Sequence, residues 1–214
     1  MIFLNDSKAK LDQDRFIKKH LPLLRRVYGS SVERIELRTA QASSPGMPPS
    51  PILATSYVVI KDVQGFSQAL AANSKEINDD LDATAKGTRI SQVDRLVASV
   101  GDSMADVKAG TQVLTTLYPA QPDKTLDRNY FVATHVPKLF SIYGGSALRR
   151  VEGTLGVDQG PSKAAYLATT HLYIRDRNAY DNAQRQGMSD MIEDAKKYTT
   201  IFPLFGELRV QAVG

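Results

Sequence analysis

The chain has 214 residues, of which 42% are hydrophobic and 23% charged, a balance that excludes disorder as the main state and allows one domain or two. Lys plus Arg exceed Asp plus Glu by 27 to 23, yet residues 1–105 carry 14 basic and 12 acidic groups and the remainder 13 and 11. The surplus forms no basic stripe, only pairs such as Lys18/Lys19, Arg25/Arg26, Arg149/Arg150 and Lys196/Lys197, which argues against a nucleic-acid partner.

The opening MIFL reads as a short strand, too brief for a secretory signal. LDQDRFIKKHLPLLRRVYG (11–29) has helical spacing. SSPGMPPSP (43–51) is a loop by its turn residues, and LATSYVVIKD (53–62) a strand. VGDSMADVKAG (100–110) is the expected linker, where hydrophobic periodicity lapses. QVLTTLYP (112–119) then reads as a strand. LDRNYFVATHVPKLFSIYGG (126–145) reads as a helix with Asp127 near its start and Gly144/Gly145 at its stop. ALRRVEGTLGV and AYLATTHLYIR are β-rich runs separated by the turn-forming VDQGPSK (157–163). NAYDNAQRQGMSDMIEDAKKY is helical in character with a break expected near Gly187, and FGELRVQAV closes as a strand. No stretch approaches the roughly 18 apolar residues of a membrane span, so a cytoplasmic protein without a membrane partner is the expectation.

The chain repeats itself. A shift of 115 lays residues 11–29 on 126–144 with identity at 8 of 19 positions, including Asp12, Phe16, His20, Pro22 and Tyr28. A shift of 114 lays 53–62 on 167–176 with 5 of 10 identical. The second copy orders as β-α-β-β-α-β, the ferredoxin-like arrangement. The fold expected is therefore α+β: two ferredoxin-like repeats, 1–103 and the better-formed 111–214. Their antiparallel sheets are expected to pack face to face, giving a monomer with an internal pseudo-dimer, or a homodimer.

Phe131, His135, Leu139 and Ile142 share one helical face, as do Phe16, His20, Leu24 and Val27. Each histidine thus points where apolar neighbours point, either as a core histidine bonded to a carbonyl or as a pocket residue whose partner is a ligand. Pro137 cannot donate to the carbonyl of Ala133, at a cost of about 3 kcal/mol in a regular helix, so a kink beside His135 is expected.

The stretch DRNYFVATHVPKL, with the preceding LYP, the later HLYI and YTTIFP at 198–203, resembles the EthD family of ferredoxin-like, dimeric α/β-barrel proteins. DQDRFIKKHLPLL resembles a more diverged copy. The resemblance implies that the two repeats form an intramolecular dimeric α/β barrel, with a pocket between each sheet and its helices into which the helix histidine looks, and with His135 and Tyr130 as pocket residues. Tyr198 and Pro203 would belong to the C-terminal motif, and His20 and Phe16 are the counterparts in the first repeat. Relatives in that superfamily include cofactor-free monooxygenases, muconolactone isomerases and haem-binding enzymes; haem here would rest on analogy alone, and no cofactor is expected. The first repeat departs from the pattern with Arg15 for Tyr130, Tyr57 for His171, and ATAKGTRISQV where YTTIFP would fall.

The ligand is expected to be a small apolar or aromatic metabolite. His135, with Tyr130, is the candidate acid–base group for an enolisable or phenolic substrate, as in isomerisation or cofactor-free oxygenation. His171, Tyr173, Tyr198, His20 and Tyr57 are candidate ligand-binding residues. His171 and Tyr173 share one face of their strand, Tyr166, Ala168, Thr170 and Leu172 the other, and register decides which face meets the helices. The competing reading is a non-catalytic binding or carrier module. Three histidines without H-x-x-x-H spacing give no support to a metal site, and no G-x-S-x-G elbow, phosphate loop or dinucleotide fingerprint is present.

Overall fold

The computed structural model describes residues 1–41 and 49–214. Most of the loop expected at 43–51 therefore lies outside the described residues. Two compact units are present: the first is Met1–Ser91 with Lys108–Gly110 and Arg209–Gly214, and the second is Gln92–Val107 with Thr111–Leu208.

In the first unit, β1 (Ile2–Leu4) and β2 (Lys10–Leu11) precede a broken helix: α1 (Gln13–Arg15), a π-helical turn (Phe16–His20) and α2 (Leu21–Tyr28). Strands β3 (Val32–Ala40) and β4 (Ile52–Ile60) follow, then the long α3 (Val63–Thr84), β5 (Ala85–Lys86) and β6 (Arg89–Ile90). The sheet runs β6-β1-β4-β3, while β2 and β5 form a small ladder of their own. At the β3 edge the C-terminus is tied in: Ile35 and Gly214 exchange backbone bonds at 3.1 and 2.9 Å.

The second unit begins with β7 (Val93–Gly101) and β8 (Gln112–Pro119). A second broken helix comes next: α4 (Arg128–Tyr130), a π-helical turn (Phe131–His135) and α5 (Val136–Ala147). Then come β9 (Leu148–Val157), β10 (Tyr166–Ile174), α6 (Arg177–Tyr198) and β11 (Leu204–Val213), whose residues to Leu208 belong here and from Arg209 to the first unit. The sheet order is β11-β8-β10-β9-β7; β10 pairs antiparallel with both β8 and β9, and β7 antiparallel with β9. The chain is thus α+β, with antiparallel sheets that carry helices. The segment expected as a linker, 100–110, begins at the end of β7 and holds a 3-10 turn at Met104–Asp106, with Met104 and Val107 buried.

Local chemistry places the helix starts. Asp12 and Asp127 cap α1 and α4 by accepting the N–H of Arg15 and Tyr130. Asp62 and Asp176, the last residues of the second repeated block, cap α3 and α6. Each cap satisfies a donor that the first helical turn leaves unpaired.

The kink expected at Pro137 takes a specific form. Val136 N–H reaches back five residues to Phe131 O, and Leu21 N–H does the same to Phe16 O. One wide turn thus ends at each histidine, with the proline in the first turn of the next segment. A proline ring presses on the carbonyl four residues back; widening the turn before it makes room, and helices bend at such insertions. At its far end α5 is interrupted by Gly144 at φ 76° and ψ 161°, near the stop read from the sequence.

Two glycines let elements approach. Gly153 on β9 sits under α5, where an added Cβ would lie 2.4 Å from Val136 Cγ2, and Val136 is fully buried. Gly187 does not break its helix: α6 runs unbroken from Arg177 to Tyr198. The residue is buried, and a Cβ there would lie 2.4 Å from Ile142 Cγ2, so its missing side chain serves the α5–α6 contact, for which a helical glycine costs only about 1 kcal/mol. Gly187→Val should cost about 1–3 kcal/mol of stability through overpacking, read from urea denaturation midpoints, and Ile142→Ala in the same chain should return part of that loss. Additive losses in the double variant would contradict the contact.

Candidate functional site

The π-helical turn, α6 and β8 bring four polar side chains together in the core of the second unit. His135 Nδ1 lies 2.8 Å from Asp194 Oδ2, and its Nε2 lies 3.0 Å from the Tyr198 hydroxyl. Tyr198 in turn meets the Tyr118 hydroxyl at 2.7 Å. His135, Asp194 and Tyr198 are exposed by 3, 1 and 3%. The rings of Phe131, Tyr118 and Tyr130 pack around Tyr198.

The proton positions follow from donor and acceptor capacity. A carboxylate only accepts, so Nδ1 of His135 carries the hydrogen. Neutral Nε2 must then accept, so Tyr198 donates to it, and the Tyr198 oxygen accepts from Tyr118. Asp194 Oδ1 receives two more donors, Tyr130 Oη at 3.0 Å and Lys138 Nζ at 2.8 Å. Lys138 keeps a third of its side chain in solvent, as an amphipathic side chain does at a rim.

Electrostatics agree with this assignment. Burial lowers the His135 pKa below the ordinary value of 6.5, and the hydrogen bond and charge of Asp194 offset part of that fall. Burial pushes the Asp194 carboxyl upward, but hydrogen bonds from Lys138, His135 and Tyr130 outweigh it and leave the pKa below the usual range. Burial raises Tyr118 to about 12 and Tyr198 further still. The network is therefore a neutral imidazole between a carboxylate and a phenol.

A strap fixes Tyr198. Asp127 N–H donates to Tyr198 O at 2.7 Å, Thr200 N–H to Thr125 O at 3.1 Å and Thr125 N–H to Thr200 Oγ1 at 2.9 Å. The YTT part of YTTIFP thus clamps the end of α6 to the start of α4, and Pro203 lies half-buried beyond it. The first unit has an equivalent strap without that motif: β2 pairs with β5, and Asp12 N–H donates to Thr84 O at 2.9 Å.

The first unit repeats the theme with other residues. His20 Nδ1 lies 2.9 Å from Asp80 Oδ2, burial lowers the His20 pKa, and Phe16 is fully buried beside it. Arg15, at the position of Tyr130, donates to Asp80 and to Thr84 Oγ1. Thr84 stands where Tyr198 does, Leu23 where Lys138 does and Phe3 where Tyr118 does, so the hydroxyl chain is missing. The cation has moved from Lys138 to Arg15, and each carboxylate keeps one.

The remaining residues singled out from the sequence lie elsewhere. Leu172 and Ile174 of β10 join the core with Phe131, Val136 and Leu139. His171 and Tyr173 alternate with them and face the side of the sheet away from the helices. His171 Nδ1 lies 3.0 Å from Thr115 Oγ1, and Tyr173 donates to Glu152 at 2.9 Å. His135, Tyr130 and Tyr198 therefore form one group, and His171 and Tyr173 another across the sheet. Tyr57 on β4 lies beneath the guanidinium of Arg38, 4.0 Å from the ring centroid, and Arg38 donates to the buried Glu36 at 2.7 Å.

Sequence reasoning missed Asp194, Asp80, Lys138 and Tyr118. Extending the repeat with the same shift of 114 lays EDAKKY (193–198) on DDLDAT (79–84). The acidic residue retained four positions before Tyr198 and Thr84 was the available signal.

Comparison with family models gives no match, and no curated protein matches the chain. Solved structures do. A candidate monooxygenase from Lactobacillus acidophilus superposes with TM-score 0.58 at 8% identity, over 97% of this chain and 92% of its own. A candidate monooxygenase from Fusobacterium nucleatum gives 0.57 at 15%, over 96 and 89%. An anthrone oxidase-like protein gives 0.55 at 8%, over 100 and 95%. This chain is similar to them in fold. Among the described residues no helix is long and apolar enough to cross a membrane.

The two depressed histidines set the acid response. Their folded pKa values lie below that of the unfolded chain, near 6.5, so as pH falls below that value the unfolded chain binds protons that the folded chain refuses. Stability is full above this window and is lost as pH falls through it. The depressed Asp194 continues the loss through the carboxylate range. Urea midpoints should therefore decline between pH 7.5 and 5.5, and less steeply in His135→Gln; a flat profile over that interval would contradict the assignment.

Proposed function

We propose that the chain is a small-molecule enzyme of isomerase or monooxygenase type that needs no cofactor and acts on an apolar or aromatic metabolite, with His135 as acid and base. We further read the chain as a tandem duplication of a ferredoxin-like unit in which the second copy holds the working site. The observation that carries the enzyme reading is the buried chain Asp194–His135–Tyr198, in which a carboxylate fixes Nδ1–H and leaves Nε2 as the base against a phenol. Asp194 stabilises the imidazolium that forms when Nε2 takes a proton. A substrate C–H or O–H brought to Tyr198 passes its proton to that hydroxyl as the hydroxyl hands its own to Nε2.

The resulting carbanion or enolate is either reprotonated at another carbon, which is isomerisation, or gives electrons to dioxygen, which is oxygenation. The neighbour described as anthrone oxidase-like makes anthrone a sensible probe: anthrone and O₂ give anthraquinone and water. The alternative is a non-catalytic binding or carrier module. It draws on one fact, that every polar atom of the His135 network already has a partner inside the protein.

Quinone formation and oxygen uptake should exceed the buffer rate with the wild-type chain. His135→Gln should lower them roughly 10²–10⁴-fold, the usual span for losing an acid–base group, with folding checked by circular dichroism. The rate should also fall on acidification, because only neutral Nε2 can accept the proton. A folded His135→Gln chain that keeps its full rate would overturn the catalytic role, and bound anthrone without product would favour the carrier.

A further inference from the structure

In the second unit a half-buried tyrosine lies against the His135 network. Tyr130 closes α4 immediately before the π-helical turn and is half-buried. Its ring lies nearly parallel to that of Tyr198, at 11° with centroids 5.9 Å apart. Its hydroxyl donates to Asp194 Oδ1 at 3.0 Å. A flat ring stacked on a buried aromatic, with its hydroxyl on a carboxylate, is the contact set by which a protein would hold a phenol.

We propose that Tyr130 fills a phenol-binding slot and acts as its gate, giving way to the hydroxylated ring of a planar aromatic ligand that stacks on Tyr198 and donates to Asp194. This rests on the reading of the His135 site as the working site and names its ligand class, a phenol or the enol form of an aromatic ketone.

Three features support it. Tyr130 has a single side-chain hydrogen bond in the structure, to an oxygen that Lys138 also serves, so Asp194 keeps a cation while the gate is open. The backbone just past Tyr130 is the wide turn at Phe131–His135, a departure from regular helix geometry of the kind frequently found at functional sites. The first unit lacks both the ring and the stack, having Arg15 and Thr84 at these positions, so one slot per chain is expected. A ligand entering this way arrives on the Tyr198 ring, beside the hydroxyl that shares its hydrogen with His135.

The chain contains no tryptophan, so binding of 1-naphthol can be followed by the probe's own fluorescence. The wild type should bind one 1-naphthol per chain, and 1-methoxynaphthalene, which cannot donate, at least 10-fold more weakly. Tyr130→Ala, whose slot needs no emptying, should bind 1-naphthol several-fold more tightly than the wild type. Equal affinity for naphthol and its ether, or a folded Tyr130→Ala chain that binds no more tightly, would overturn the slot. Should that variant not fold, the naphthol–ether pair on the wild type decides alone. The two readings fail separately: naphthol selectivity without anthrone turnover keeps the slot and removes the catalysis, whereas turnover without selectivity does the reverse.

Discussion

The second unit is organised around one hydrogen bond, from His135 Nδ1 to Asp194 Oδ2 at 2.8 Å. Both groups are nearly inaccessible, and an imidazole or a carboxylate taken from water without a partner would cost several kcal/mol. The bond therefore ties the broken helix to α6. The wide turn at Phe131–His135 and the close approach at Gly153 bring the ring to this position, and Gly187 brings α6 within reach of α5. Lys138 and Tyr130 then complete the acceptors of Asp194, which keeps the carboxylate ionised and leaves His135 a neutral acceptor at Nε2.

The two units show how the same constraint is met by different side chains. His20 and Asp80 repeat the bond at 2.9 Å. Around it, the pair Tyr130 and Lys138 becomes Arg15 and Leu23, and the phenols Tyr198 and Tyr118 become Thr84 and Phe3. The carboxylate keeps one cation in each case, so the electrostatic account still closes. What disappears is the chain of hydroxyls on the far nitrogen. The first unit retains the histidine–carboxylate bond without the phenols.

Much of this was legible in the sequence. The repeated LD…F…H.P…YG pattern marked both broken helices, alternation in YLATTHLYI assigned its two faces, and the glycine pair at 144–145 marked the end of a helix. Other features were hidden for physical reasons. A histidine on an apolar stripe announces a buried ring but not its partner, because Asp194 and Asp80 lie some 60 residues away on helices whose local pattern is unremarkable. Proline announces a disruption, yet whether a helix kinks or widens depends on what packs beneath it. Gly187 reads as a breaker because propensity is local, whereas here the α5 contact decides. The polar face with His171, Tyr173 and Glu152 could be separated from the His135 group only once strand register fixed which side meets the helices.

The His135 network requires a neutral ring, with its hydrogen on Nδ1 and a receptive Nε2. The most direct measurement is ¹⁵N NMR of the histidine side chains across a pH series from 8 to 5. His135 is expected as the Nδ1–H tautomer at neutral pH, with protonation of Nε2 delayed below the ordinary histidine range. An Nε2–H tautomer, or an imidazolium already present at pH 7, would contradict that expectation.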